Sequence, residues 1–146
     1  MRRTMFGILA GVALMATGCA SMDSATTAKQ PLYDRLGGKG AIQAVVDDFI
    51  GNVAADARIN KRFANADIPR LKTKLVEQIC EASGGPCKYT GASMLDAHRG
   101  MNVTDAEFNA LVEDRVKSLD TFKVPSQEKG ELLTALGGMK PQIVGK

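Results

Sequence analysis

Aromatic side chains and histidine are scarce in this chain: it has no tryptophan, two tyrosines, five phenylalanines and one histidine, His98, in 146 residues. A single imidazole excludes every site built on two or more histidines. Three cysteines, Cys19, Cys80 and Cys87, include no pair at zinc-ligand spacing, and one histidine could not complete such a set. No Cys-x-x-Cys-His run occurs, which excludes thioether attachment of a haem of the c type. There is no flavin or nicotinamide fingerprint, and no stretch of sustained two-residue alternation that would announce a half-buried strand.

The only long apolar run lies at the start. Arg2 and Arg3 precede an uncharged segment, Met5 to Ala16, that closes on Thr17-Gly18-Cys19. It falls short of the about 20 apolar residues a bilayer-spanning helix needs. A charged start, a short apolar middle and a small-residue end describe an export signal. Ala16-Thr17-Gly18-Cys19 further resembles a bacterial lipobox, with Met15 where leucine is common. The expected organisation is a signal over 1–18, a lipidated Cys19, and a small, polar tether over 19–30. A folded domain then covers 31–146. Plain secretion and an uncleaved anchor are the alternatives. Ala20 in place of aspartate resembles outer-membrane sorting, so the expected location is the periplasmic side of the outer membrane, or the soluble periplasm.

Removal of residues 1–18 also removes Arg2 and Arg3 from the 19 basic residues, leaving 17 against 16 acidic and a formal charge of +1. That balance carries no clustered basic footprint for nucleic acid. With Cys19 lipidated, Cys80 and Cys87 remain, flanking "EASGGP". In an oxidising compartment they are a candidate disulfide; two unpaired cysteines are the alternative.

What the chain does have is helical period. Ile42, Val45, Val46, Phe49, Ile50 and Val53 follow one another at three- and four-residue steps after "LGGKG". A second stripe runs Ile68, Leu71, Leu75, Val76, Ile79, with Asp67 as a cap and Pro69 in the first turn. Gly84-Gly85-Pro86 ends it. Thr104 and Glu107 form a capping box that opens a third stripe of Phe108, Leu111, Val112, Arg115, Val116, Leu119 and Phe122. After Val124-Pro125-Ser126, a fourth carries Leu132, Leu133, Leu136 and Met139. The fold class is all-α, with four substantial helices. Between Gly85 and Thr104 the chain is irregular, with two helical turns at most. His98 sits there beside Met94, Leu95 and Met101. By itself such a histidine reads as readily as a hydrogen-bonded structural residue as a ligand.

The ordered set "LYDRLGG", "VVDDF", "RF", "RLK", "GGP…YTG", "M…AHRG" and "TDAEFNALVED" resembles the group I truncated haemoglobins, over Pro31 to Val144. The resemblance implies a two-over-two helical sandwich around haem b, held without covalent links, with His98 as the proximal iron ligand. It further implies that Phe63 stacks on the macrocycle, that Met94 and Leu95 pack beneath it, and that Tyr89 bonds a propionate. Arg70, Lys72 and Lys74 supply positive charge near the carboxylates, or simply face solvent.

The distal side departs from the family pattern. Ile50, next to Phe49, replaces the usual tyrosine, Leu75 replaces a glutamine, and Leu71 is a third apolar neighbour. None of these can donate a hydrogen bond. A donor lost from bound oxygen costs about 1.5–3 kcal/mol, roughly ten- to a hundredfold in affinity. Carbon monoxide and nitric oxide are little affected. Lys74 lies where some relatives place an internal sixth ligand, although deprotonating it at pH 7 costs about 4.6 kcal/mol before any help from burial. Pairing with a propionate is the competing role.

Three functions therefore remain open. The first is a membrane-tethered haem protein binding diatomic gas: oxygen, nitric oxide or carbon monoxide. The second is a haem redox enzyme or electron carrier (nitric oxide dioxygenation, nitrite or peroxide chemistry) served by an unidentified periplasmic reductant. The third is a haem-free helical lipoprotein.

Overall fold

The computed structural model describes residues 30–146; the signal, Cys19 and all but the last residue of the tether lie outside them. Six α-helices follow in order: α1 (Leu32–Arg35), α2 (Gly38–Ala55), α3 (Ile68–Ala82), α4 (Met94–His98), α5 (Asp105–Thr121) and α6 (Ser126–Gly137). Short 3-10 turns cover Asn60–Phe63 and Lys140–Gln142. The four long helices are those the apolar stripes predict.

Each boundary has a local cause. Gly37 and Gly38 adopt left-handed φ of 90° and 73°, which only glycine takes cheaply, and they turn the chain sharply into α2. Asp67 accepts the Arg70 backbone N–H at 3.1 Å and Pro69 fills the first turn of α3. At α5 the Thr104 hydroxyl accepts from the Glu107 amide while the Glu107 carboxylate accepts from the Thr104 amide at 2.9 Å. Lys123, with φ 53°, takes the chain out of α5. Phe122 is the C-cap of that helix and is 45% exposed, so it does not continue the buried stripe. Met139 follows the end of α6 and caps the last 3-10 turn.

Helix α2 packs on both α3 and α5, α3 on α6, and α5 on α6, giving two crossed pairs. The buried core joins Ile42, Val46, Phe49, Ile50 and Val53 of α2 to Val76, Ile79 and Cys80 of α3, Leu119 of α5, and Leu132 and Leu136 of α6. One ion pair is built into it: Arg35 of α1, whose side chain is only 6% exposed, donates to Glu128 of α6 at 2.7 Å and also reaches Glu131. Cys80 and Cys87 are bonded, Cα to Cα 5.7 Å. The bridge folds the chain back after α3 and delivers Tyr89 and Thr90 to its side, where their backbone N–H groups donate to Glu81 and Glu77. From there to α4 no helix covers the interior. That gap is where the site lies.

Candidate functional site

A cavity of about 340 Å³ opens between α2, α3, α4 and α5, within the range of roughly 300–1,000 Å³ typical of cofactor pockets. From α2 come Phe49, Ile50 and Val53; from the turn after it, Arg62 and Phe63; from α3, Leu71, Lys74, Leu75 and Gln78. The opposite side is Met94, Ala97 and His98 of α4, with Met101 just beyond. Leu111 and Arg115 of α5 complete it, and Tyr89 stands at the mouth.

His98 is oriented by its own helix. Ser93 caps α4, its Oγ accepting the Asp96 backbone N–H at 3.1 Å. In the single turn that follows, His98 Nδ1 lies 2.8 Å from the Met94 carbonyl. A carbonyl can only accept, so Nδ1 carries a proton, and in the neutral ring Nε2 is the nitrogen whose lone pair is free. This is the arrangement that orients and strengthens a histidine ligand. The segment after it is anchored by Arg62, which forks onto Glu107 at 2.8 and 2.9 Å and donates to the Met101 carbonyl at 2.7 Å. The guanidinium holds the Glu107 carboxyl at about 2, its hydrogen bonds from Thr104 adding to the effect.

At the mouth, Tyr89 donates its hydroxyl proton to the Ala92 carbonyl at 2.9 Å and crosses directly over Gly91. A Cβ at Gly91 would come within 2.2 Å of that hydroxyl, so the ring takes this position only over glycine. Burial raises the Tyr89 phenol above its usual range. Lys74 places Nζ 2.9 Å from a Glu77 carboxylate oxygen and also donates to the Thr90 hydroxyl. That ammonium, with the Thr90 N–H and hydroxyl, keeps the Glu77 carboxyl at about 2.

Most of the residues expected at the site meet here: Phe49, Ile50, Phe63, Leu71, Lys74, Leu75, Tyr89, Met94 and His98 all line the cavity. Three do not. Lys72 lies off the cavity, its Nζ 2.9 Å from Asp47 of α2, because it sits one position round the helix from Leu71. Arg70 is exposed in the first turn. Leu95 is 42% exposed and points away, since in a one-turn helix Met94, Ala97 and His98 share a face that Leu95 cannot join.

The donor-free wall expected from Ile50, Leu71 and Leu75 also needs correction. Arg115 lines the same cavity, its guanidinium 5.2 Å above the centre of the Phe49 ring. The sequence offered a signal: an arginine in register with Leu111, Val112 and Leu119 on an otherwise apolar stripe.

The model of the bacterial-like globin family matches residues 31–144. The chain belongs to that family. Its group is indicated by a group 1 truncated haemoglobin of Mycolicibacterium paratuberculosis, 37% identical over 112 residues that cover 77% of this chain and 82% of the relative. Among solved structures, the ferric truncated haemoglobin of Tetrahymena pyriformis superposes with a TM-score of 0.77 at 30% identity, covering 80% of this chain and all of that one. The cyanomet 2/2 haemoglobin of a Synechococcus species, which carries covalently attached haem, gives 0.72 at 32% identity over 77% and 95%. This truncated globin is thus a two-over-two haem protein of the gas-binding class, and homologues in the family hold haem b without covalent bonds. The cavity suits that group: two largely apolar faces, a histidine with a free nitrogen, and ammonium and phenol groups at the mouth.

Proposed function

We propose that this globin binds haem b through His98 Nε2 and takes diatomic gases at the iron, with Phe49, Ile50, Leu71 and Leu75 forming the wall next to the bound gas. The observation that supports this most is the Nδ1 contact to the Met94 carbonyl, which makes Nε2 the ligating nitrogen of the neutral ring on a cavity wall. When bound, the haem supplies an iron that coordinates oxygen, carbon monoxide or nitric oxide. The protein supplies the rest. Phe63 and Met94 are the ring's packing partners, and Lys74 is the cation that would meet a haem carboxylate; the Tyr89 hydroxyl proton is already given to the Ala92 carbonyl. Lys74 keeps this rim role rather than ligating iron, because reaching the metal as a neutral amine means giving up both its proton and Glu77.

The apolar groups on α2 and α3 give bound oxygen no hydrogen-bond donor, which carbon monoxide and nitric oxide do not need. Export and membrane attachment through Cys19 complete the proposal, resting on the signal-like start and lipobox. Among the described residues no helix is long and apolar enough to cross a membrane. The test is reconstitution with hemin. A Soret band and a ferrous carbon monoxide adduct support the reading. A flat titration with hemin would remove it.

A further inference from the structure

Among the described residues, those lining the cavity include three cations, Arg62, Lys74 and Arg115, and no carboxylate. Two of the three are neutralised from outside it: Arg62 by Glu107 and Lys74 by Glu77. Arg115 has no hydrogen-bond or ion-pair partner among the described residues. Its guanidinium lies over the face of Phe49, itself only 3% exposed, on the apolar α2 side of the cavity; Arg115 as a whole is half-buried, its nitrogens reachable from the cavity. Burial alone pushes its pKa down to about 10. At neutral pH it therefore stays charged, with five N–H donors unspent. A cation–π contact offsets only part of the cost of holding a charge there. An apolar side chain would fill the same space without that cost.

We infer that Arg115 makes the Phe49 side of this cavity a receptor for a small monovalent inorganic anion of nitrite or azide size, with the guanidinium donating hydrogen bonds to the anion while the haem iron coordinates it. The inference rests on the haem reading. An anion entering the cavity finds the charged donor that Ile50, Leu71 and Leu75 cannot provide. Imidazole, which brings no negative charge, gains nothing from Arg115. The residue thus sets selectivity by charge.

The experiment uses ferric haem-loaded protein, wild type and Arg115→Met, titrated with nitrite, azide and the neutral ligand imidazole, each followed by the Soret shift. Removal of a charge-assisted donor is expected to weaken both anions roughly ten- to a hundredfold and to leave imidazole unchanged. Arg115→Lys, which keeps the charge but not the fork, is expected to fall between, and it carries the test if the methionine variant does not fold. Equal losses for anions and imidazole would overturn the inference, as would unchanged anion affinity. So would weakened haem retention with no change in the ratio of anion to imidazole affinity, since Arg115 would then serve a propionate. A normal Soret band with ligand affinities indifferent to position 115 defeats this inference alone. The absence of a Soret band in wild type defeats the haem reading beneath it.

Discussion

At the scale of single residues, the site is a contest between groups that can donate a hydrogen bond to a gas and groups that cannot. Ile50 and Leu75 were legible from the sequence, because each occupies a fixed step on an apolar stripe and neither has a polar atom. Arg115 was not. An arginine on an amphipathic helix ordinarily runs its stem along the core and lifts its head into water, and only the structure puts this guanidinium over Phe49. Lys74 was legible as near the cavity but not in its pairing, which depends on Thr90 being brought back by the loop after α3. Ile50→Tyr is predicted to restore a donor: oxygen affinity should rise roughly ten- to a hundredfold, with carbon monoxide affinity nearly constant, as measured by flash photolysis. Lys74→Ala is expected to leave the ferric and ferrous spectra unchanged between neutral and alkaline pH while loosening haem retention. A low-spin signal that grows with pH in wild type and vanishes in the variant would instead make Lys74 an iron ligand.

At the scale of elements, the long helices were readable because their caps and stripes are local, within four residues. Glu107 shows where that ends. Its capping box with Thr104 is visible three residues apart, but its second task, gripping Arg62 beside the segment that follows His98, joins positions 45 residues apart. Glu77 and Glu107 have folded-state pKa values lowered from 4.5 to about 2 by Lys74 and Arg62 respectively. Depressed carboxylates contribute stability that is present above the unfolded value and lost as pH falls through the folded one. Thermal midpoints should therefore drop between pH 4.5 and 2, and Glu107→Gln should lessen the dependence. Asp114, raised by burial, works in the opposite direction and trims the effect. The Cys80–Cys87 bridge was readable as a candidate from the export-type start, which implies an oxidising compartment, and from the pair left once Cys19 is set aside. Replacing both by alanine should cost about 2–3 kcal/mol by the loop-entropy argument, seen as a lower denaturant midpoint, and should loosen Tyr89 and Thr90 first.

At the scale of the whole molecule, four helices cross in two pairs and do not close on themselves. The stretch from Gly85 to Thr104 gave this away in sequence, being too irregular to cover the interior and yet carrying Met94, His98 and Met101. Which residues face the opening was only partly legible. Lys72 turns to Asp47 and Leu95 to solvent, neither lining the cavity. A cavity of this size between otherwise packed helices predicts that bound haem raises the melting temperature, since a ligand held only by the folded state stabilises it by mass action. The measurement that bears most directly on the whole account is hemin titration of His98→Gly with and without free imidazole. The account predicts that the variant loses tight haem binding and its axial-nitrogen spectrum, and that added imidazole restores both. Wild-type haem affinity and spectrum in the variant without imidazole would contradict it.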